Sequence, residues 1–124
     1  MQMNDRDLAY FLDIYECVID ILNYTSSVSF YEFEKDKMRR LAVERQLEVI
    51  GQAANKISSE VQNEYGSIPW SQIIGLRNKL AHDYGEILAK RIWDISRKSI
   101  PELLTEMKKI QNLREYLGAE DTKK

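Results

Sequence analysis

Histidine and cysteine each occur once in this chain, at His82 and Cys17, and there are only two prolines and five glycines. A single cysteine excludes an internal disulfide, and one histidine with one cysteine cannot form a zinc site. So few prolines and glycines favour long helices with few turns. The 124 residues include no run of roughly 18 apolar residues that would indicate a membrane span. The chain begins without a basic segment followed by an apolar one, so we expect no signal peptide and a cytoplasmic protein.

A strong excess of positive charge is also missing. The 18 lysines and arginines are outnumbered by 20 acidic residues, which argues against a nucleic-acid binder that acts through bulk charge. The distribution is uneven, because residues 1–34 contain seven acidic residues and one arginine, whereas residues 77–109 contain eight basic and five acidic residues. The basic part is compatible with a local phosphate site, and equally with ordinary solvated helix faces.

Apolar residues recur at steps of three and four, and no alternation typical of strands is present. The pattern predicts a first helix over Asp5–Thr25, with Asn4 as its N-cap, and a connector over residues 25–36 with a short helical turn at Phe30–Phe33. Asp36 is expected to cap a second helix that runs to Ile57. A loop over Glu60–Ile68, a third helix over Trp70–His82 ended by Gly85, and a fourth helix from Glu86 complete the chain.

These four helices predict an all-α, antiparallel four-helix bundle that forms a single domain over residues 1–124. Pro101 removes a backbone donor inside the fourth helix, so we expect a kink or break near Ser99–Ile100. The tail over residues 118–124 is expected to fray. On the second helix, apolar residues including Met38 and Leu41 form a wide buried arc beside a thin polar stripe of Arg45, Glu48, Gln52 and Asn55. That stripe is a candidate cleft lining, a partner interface or a solvated back face.

The only histidine belongs to the segment Arg77-Asn78-Lys79-Leu80-Ala81-His82-Asp83-Tyr84. Arginine grips phosphate with a planar fork of donors, and histidine exchanges protons near neutral pH. A phosphodiester substrate would use both, although a histidine near a helix end can also simply cap the last carbonyls. In a regular helix Arg77 and His82 are about 140° apart, whereas Asn78 and His82 share a face. We therefore expect the helix to unwind near His82, unless the two side chains serve different partners across a symmetric interface.

Cleavage of RNA through its own 2′-hydroxyl needs a base for that proton and an acid for the leaving oxygen. Two histidines do this most simply, and a twofold dimer of a chain with one histidine supplies two. Glu48 and Asp83 could hold magnesium, but no clustered acidic motif indicates a metal mechanism, and we expect no metal or other cofactor.

Six segments occur in this order along the chain: residues 45–53 (RQLEVIGQA), 68–70 (IPW), 73–78 (IIGLRN), 80–84 (LAHDY), 92–94 (IWD) and 100–103 (IPEL). In these segments the sequence resembles the HEPN superfamily, specifically the HepT-like toxins of prokaryotic toxin–antitoxin pairs. This resemblance covers nearly the whole chain. It implies an all-helical bundle that forms a homodimer, and a metal-independent ribonuclease whose arginine–histidine motifs meet in a cleft between subunits.

By this resemblance Arg77 would neutralise the scissile phosphate, His82 would be the acid–base group, and Asn78 would steady the site. Tyr84 matches the tyrosine to which the cognate antitoxin, a minimal nucleotidyltransferase, attaches AMP and so silences the toxin. Many relatives have glutamate where this chain has Gln52, which makes a charge-dependent role there uncertain. The alternative function is a non-catalytic helical dimer that binds its nucleotidyltransferase partner, or nucleotides, through the same cleft.

Overall fold

The fold is an all-α bundle in a computed structural model that describes the backbone of residues 3–82 and 88–123 and the side chains of residues 3–81 and 88–119. Its elements are α1 (Asp5–Thr25), α2 (Phe30–Lys35), α3 (Lys37–Lys56), α4 (Ser59–Glu64), α5 (Trp70–His82), α6 (Ala89–Asp94), a π-helical segment (Ile95–Ser99), α7 (Ile100–Met107) and α8 (Gln111–Lys123). Within these described ranges there is no strand, and no helix is both long and apolar enough to cross a bilayer.

Helix α1 is the centre of the bundle and packs against α3, α7, the π-helical segment and α8. It begins where predicted, because the Asn4 side chain accepts the backbone N–H of Asp7 at 2.8 Å. Its buried positions recur every three or four residues, so one stripe enters the core. The side chain of Phe11, at the middle of this stripe, meets the rings of Tyr65 and Trp70 edge-on.

Helices α1 and α3 run antiparallel along most of their length. Gln46 of α3 donates to Asp20 at 2.7 Å, and Ser58 beyond the end of α3 donates to Asp7 at the start of α1. As the residue number falls along α1 it rises along α3, which is the antiparallel arrangement predicted for neighbouring helices with a short joint. Asp36 caps α3 as predicted, by accepting the backbone N–H of Arg39.

The predicted loop over residues 60–68 is partly wrong, because it contains the short helix α4. Ser58 caps this helix by accepting the backbone N–H of Val61, and Val61 is its one buried side chain. A helix with one apolar contact has no periodicity that a sequence pattern can reveal. Its stability comes from tertiary contacts, notably those between Ser58 and Asp7.

The break predicted near Ser99–Ile100 is confirmed and takes the form of the π-helical segment. The backbone N–H of Ile100 donates to the carbonyl of Ile95, five residues earlier, and Pro101 lies in the first turn of α7. Since proline has no N–H, the helix can restart at this point with little loss of hydrogen bonding. A second interruption, the turn at residues 108–110 between α7 and α8, was not predicted.

Two further expectations concern the burial of residues at the start of α3 and the fraying of the tail. Met38 and Leu41, which we expected in the buried arc of α3, are 84% and 53% exposed. They lie in the first turns of α3, before its dense packing on α1 and α5. The backbone of α8 is helical through Lys123, and fraying of its last turns stays a prediction.

Candidate active site

The candidate catalytic residues lie on or just after helix α5. Arg77 and Asn78 are in its last two turns, and His82 is its final residue. Tyr84, the predicted modification site, and Asp83 fall within residues 83–87, outside the described residues. The candidate lining residues Arg45, Glu48 and Gln52 are on α3, which is the main packing partner of α5.

Helices α3 and α5 approach each other closely where Gly51 faces Arg77. A Cβ atom built on Gly51 would lie 2.1 Å from Cβ and 2.7 Å from Cγ of Arg77, and 3.2 Å from the carbonyl oxygen of Ile73. Non-bonded carbon atoms attract best at about 3.5–4.0 Å, so the space that a side chain would need at position 51 is taken by the stem of Arg77. The arginine therefore starts inside the helix–helix interface rather than on the open surface of α5.

The far end of Arg77 turns from this interface towards Asn78. Its Nη1 donates a hydrogen bond of 3.0 Å to Oδ1 of Asn78, while its Nε is shielded from solvent and has no hydrogen-bond partner among the described residues. Asn78 is exposed, so this contact brings the guanidinium to the accessible side of α5. The two side chains are therefore in contact, and the supporting role of Asn78 stays a prediction.

Helix α5 is regular through position 82, so the expected unwinding does not occur at or before His82. Asn78 and residue 82 are one turn apart in this helix and belong to the same face. Positions 77 and 82 stay about 140° apart around the helix axis. The guanidinium of Arg77 nevertheless reaches towards the face of position 82, because it hydrogen-bonds Asn78 on that face. The arginine is thus directed towards the face of the histidine position without any break in the helix.

The candidate lining residues on α3 lie close in sequence to Gly51. Nη1 of Arg45 is 3.7 Å from Oε2 of Glu48, in a pair whose side chains are 64% and 26% exposed. Gln52, immediately after Gly51, is half-buried. Such an exposed pair contributes about 0–1 kcal/mol, so it contributes little to stability and leaves Arg45 accessible.

A separate groove of about 670 Å³ lies between α3, α5 and the α6–α7 region. Its lining includes Ile50, Gln72, Leu76, Arg91 and Leu103. Gln72 and Leu76 are on the side of α5 away from Asn78, and Arg77 is not among the lining residues. This groove is therefore distinct from the site around Arg77.

No group of three or more His, Cys, Asp or Glu side chains comes together in the part of the chain that the structure describes. Glu48, named above as a candidate magnesium ligand, is paired with Arg45.

The comparison with known protein families bears on this arrangement. The family model described as "Ribonuclease HepT-like" matches residues 14–110, which include all of α3 and α5 and the second half of α1. The chain belongs to the HepT-like family. The all-helical bundle agrees with the fold implied by the resemblance to the HEPN superfamily.

Individual relatives carry ribonuclease names. A protein of Methanocaldococcus jannaschii named "Putative RNase MJ1216" is 38% identical over 109 residues, which cover 87% of this chain and 90% of the relative. The "Probable ribonuclease HepT" of Thermococcus cleftensis is 31% identical over 111 residues, 90% of this chain and 99% of the relative. No solved structure matches the chain significantly.

Sequence reasoning about this HepT-like chain did not identify Gly51 as part of the site. It entered only as one letter of the segment 45–53 that carries the family resemblance. The available signal was a glycine in the middle of a long helix, where it lowers helix stability by about 1 kcal/mol relative to alanine. Which residue it accommodates depends on how α3 and α5 pack, and the sequence pattern does not specify that.

Proposed function

We propose that this chain is the toxin of a toxin–antitoxin pair and a metal-independent endoribonuclease, with Arg77 and His82 as its catalytic residues at a dimer cleft. The observation that carries the proposal is the direction of Arg77. Its guanidinium hydrogen-bonds Asn78 on the helix face to which position 82 also belongs. A phosphate gripped by Arg77 would therefore lie near an acid–base group, as transfer of a phosphoryl group requires.

In the proposed reaction one His82 takes the proton of the ribose 2′-hydroxyl, and the 2′-oxygen attacks the adjacent phosphorus. The bond from phosphorus to the 5′-oxygen breaks, and a second His82 gives that oxygen a proton. The products are a 2′,3′-cyclic phosphate and a 5′-hydroxyl, so no water or metal ion is consumed. Arg77 would neutralise the extra charge that develops on the phosphate oxygens.

The need for two histidines leads to a homodimer, and the packing of α5 supports it. None of residues 70–81 is fully buried, although Ile73, Ile74, Leu76 and Leu80 are apolar. Helix α5 packs mainly on α3 and leaves much of its own surface uncovered. Ile73, Leu76 and Leu80 face the core, whereas Ile74 is one turn before Asn78 on the face of position 82. A second copy of the chain across that face would cover Ile74 and bring two motifs to one cleft.

Silencing is proposed to occur at Tyr84. The cognate antitoxin, a minimal nucleotidyltransferase, would transfer AMP from ATP to the tyrosine hydroxyl and release pyrophosphate. Tyr84 follows His82 by two residues, so the attached phosphate and adenine would occupy the place of substrate RNA. The added negative charge would also compete for Arg77.

The proposal is tested by incubating the purified protein with single-stranded RNA, with and without EDTA, and identifying the product ends. We expect cleavage in EDTA, with cyclic phosphate ends. His82→Ala should reduce the rate by on the order of 10²–10⁴ while the circular dichroism spectrum stays unchanged. Arg77→Lys should also be strongly impaired, because a point charge does not reproduce the bidentate fork.

A loss of activity in EDTA that magnesium restores would contradict the metal-independent mechanism. If the native protein binds a nucleotidyltransferase or nucleotides but cleaves no RNA, the alternative function, a non-catalytic binding dimer, would apply. The slight excess of acidic residues over basic ones favours that alternative, since it weakens general attraction to RNA.

A further inference from the structure

We infer that Gly51 is a positioning residue for Arg77, and that it fixes which edge of the guanidinium is offered to the substrate phosphate. This inference rests on the proposed function, because it assigns the phosphate to Arg77. Its basis is the close approach at Gly51, where a Cβ atom would lie 2.1 Å from Cβ of Arg77. The nearest atoms are the stem of Arg77 and the backbone of Ile73, rather than the flexible end of a long side chain.

Because Gly51 has no side chain, it determines the direction in which the side chain of Arg77 leaves the interface between α3 and α5. Its Cβ and Cγ lie against the backbone of α3, so the side chain leaves the interface in a restricted direction. Its Nε is consequently enclosed, without solvent contact and without a partner among the described residues. The hydrogen bond from Nη1 to Asn78 then fixes the plane of the guanidinium.

These contacts determine which donors of Arg77 remain available. A guanidinium has five N–H groups, one on Nε and two on each Nη. The Nε–H points into the enclosed space, and one N–H of Nη1 is used by Asn78. The outward edge formed by Nη1 and Nη2 remains, so the phosphate is expected to bind end-on to this edge in a bidentate manner.

A methyl group at position 51 must displace Arg77. Either α5 moves away from α3, or the arginine stem rotates out of the interface, and in both cases the guanidinium shifts by about an ångström or more. Misplacement of a binding group by about 1 Å can cost roughly 100-fold in rate. We therefore expect Gly51→Ala to lower kcat for RNA cleavage about 100-fold, with a smaller change in KM.

Gly118 provides a matched control. It also lies within a helix, α8, which holds none of the proposed site residues, and a Cβ atom there would meet nothing within 4 Å. Gly118→Ala adds the same methyl group and should leave kcat within twofold of the native value. If Gly51→Ala folds and retains kcat within threefold of the native protein, the inference is wrong.

A double variant separates positioning from a general structural role. Arg77→Gly removes the two nearest atoms and leaves the carbonyl oxygen of Ile73 at 3.2 Å, from which a shift of a few tenths of an ångström is enough, so Gly51→Ala should be tolerated in its presence. We expect Gly51→Ala/Arg77→Gly to melt within a few degrees of Arg77→Gly and to have the same residual cleavage rate. An additional tenfold loss of rate in the double variant would show that Gly51 acts by another route and would overturn the inference.

The double variant also decides the case in which Gly51→Ala alone fails to fold. If the double variant then folds, the conflict is with Arg77, and if it also fails to fold, the inference is overturned.

A measurement on the native protein is independent of folding in the variants. The Nε–H proton of Arg77, assigned by its loss in Arg77→Lys, should exchange with water at least 10-fold more slowly than that of free arginine, and exchange at the free rate would contradict the enclosed position.

Failure of the proposed function would give a different result. If Arg77→Lys and Arg77→Gly cleave RNA as fast as the native protein, then Arg77 does not bind the scissile phosphate, whatever the behaviour of Gly51 variants. If they are inactive but Gly51→Ala is fully active, the proposed function stands and only the positioning role of Gly51 falls.

Discussion

The thiol of Cys17 is enclosed by apolar packing and surrounded by acidic side chains. Burial, and after it the negative charges of Asp20, Asp13 and Glu16, raise the pKa of the thiol from 9.0 to about 11. The Sγ atom also donates a hydrogen bond to Oε1 of Gln46 at 3.4 Å. Cys17 is therefore a packed core residue that stays protonated at neutral pH.

This environment predicts slow alkylation of the native protein. At pH 8 the thiolate fraction of Cys17 should be roughly 100-fold below that of a thiol with the ordinary pKa, because thiolate is the reactive form. The rate should rise about tenfold for each pH unit until the pH approaches 11. Intact-mass measurement after treatment with iodoacetamide checks this, and protein unfolded in urea serves as the reactive control. Complete labelling of native protein as fast as unfolded protein would contradict the enclosed thiol.

The substitution Tyr84→Phe removes a single oxygen atom and can thereby separate the proposed regulation from catalysis. Tyr84→Phe should cleave RNA like the native toxin and should be immune to silencing, because it lacks the hydroxyl that would accept AMP. The test incubates both proteins with the nucleotidyltransferase and ATP, then measures intact mass and RNA cleavage. A gain of one AMP by the phenylalanine variant would identify another acceptor, and an inactive unmodified variant would assign the hydroxyl to catalysis.

At the scale of elements, one buried carboxylate joins the beginning of α1 to the beginning of α4. Asp7 is 2% exposed, and its two oxygens accept the backbone N–H and the hydroxyl of Ser58 at 3.0 and 2.7 Å. The same serine caps α4. The connection between α3 and α5 is thus held to α1, and the position of α5 depends on it indirectly.

Asp7→Ala is therefore expected to destabilise the protein by about 2 kcal/mol, since two donors of Ser58 lose their buried acceptor. Chemical denaturation monitored by circular dichroism measures this directly. Asp13→Ala is the matched control on the same helix, because Asp13 is exposed and its removal should change stability by about 0.5 kcal/mol or less. Equal stabilities for the two variants would contradict the structural role of Asp7.

Local chemistry predicted the elements whose signals are local. Asn4 and Asp36 cap their helices as expected, and the bounds of α1 follow from its periodicity. Pro101 revealed the break in the fourth helix because its missing N–H acts at a fixed place in the chain. Helix α4 and the turn at residues 108–110 were missed, since α4 depends on the distant contact between Ser58 and Asp7, and the turn contains no proline or glycine that would indicate it.

The candidate site likewise combines features that have a local sequence signal with features that depend on helix packing. The arginine–histidine spacing indicates the proposed reactive groups, and it predicted either that the helix unwinds near His82 or that the two side chains serve different partners across a symmetric interface. The structure keeps α5 regular and directs Arg77 by its contact with Gly51, 26 positions earlier in the chain, and with Asn78. A pairing of this kind is set by the packing of two helices and has no signature within either of them.

At the scale of the whole molecule, the uncovered face of α5 that bears Asn78 and the single histidine lead to the prediction of a homodimer. Light scattering should give about twice the chain mass of 14.6 kDa. A monomer that still cleaves RNA would contradict a site shared between two chains.

Mixing two proteins tests whether both histidines of a dimer are needed. If they are, adding an equal amount of His82→Ala to a fixed amount of native protein should lower the activity to about half, because random exchange converts native dimers into inactive mixed ones. A larger excess should lower it further. Activity that stays constant at every ratio would show that each chain acts alone.

The close approach of α3 to α5 has a genetic consequence. Any substitution at position 51 adds atoms where none fit, because glycine is the smallest residue, and every single-base change of a glycine codon that alters the residue introduces a side chain. Cultures that survive expression of the toxin should therefore carry mutations in the Gly51 codon as readily as in the codons of Arg77 and His82. Changes in the Gly118 codon to alanine should be absent among the survivors, although both glycines lie in helices.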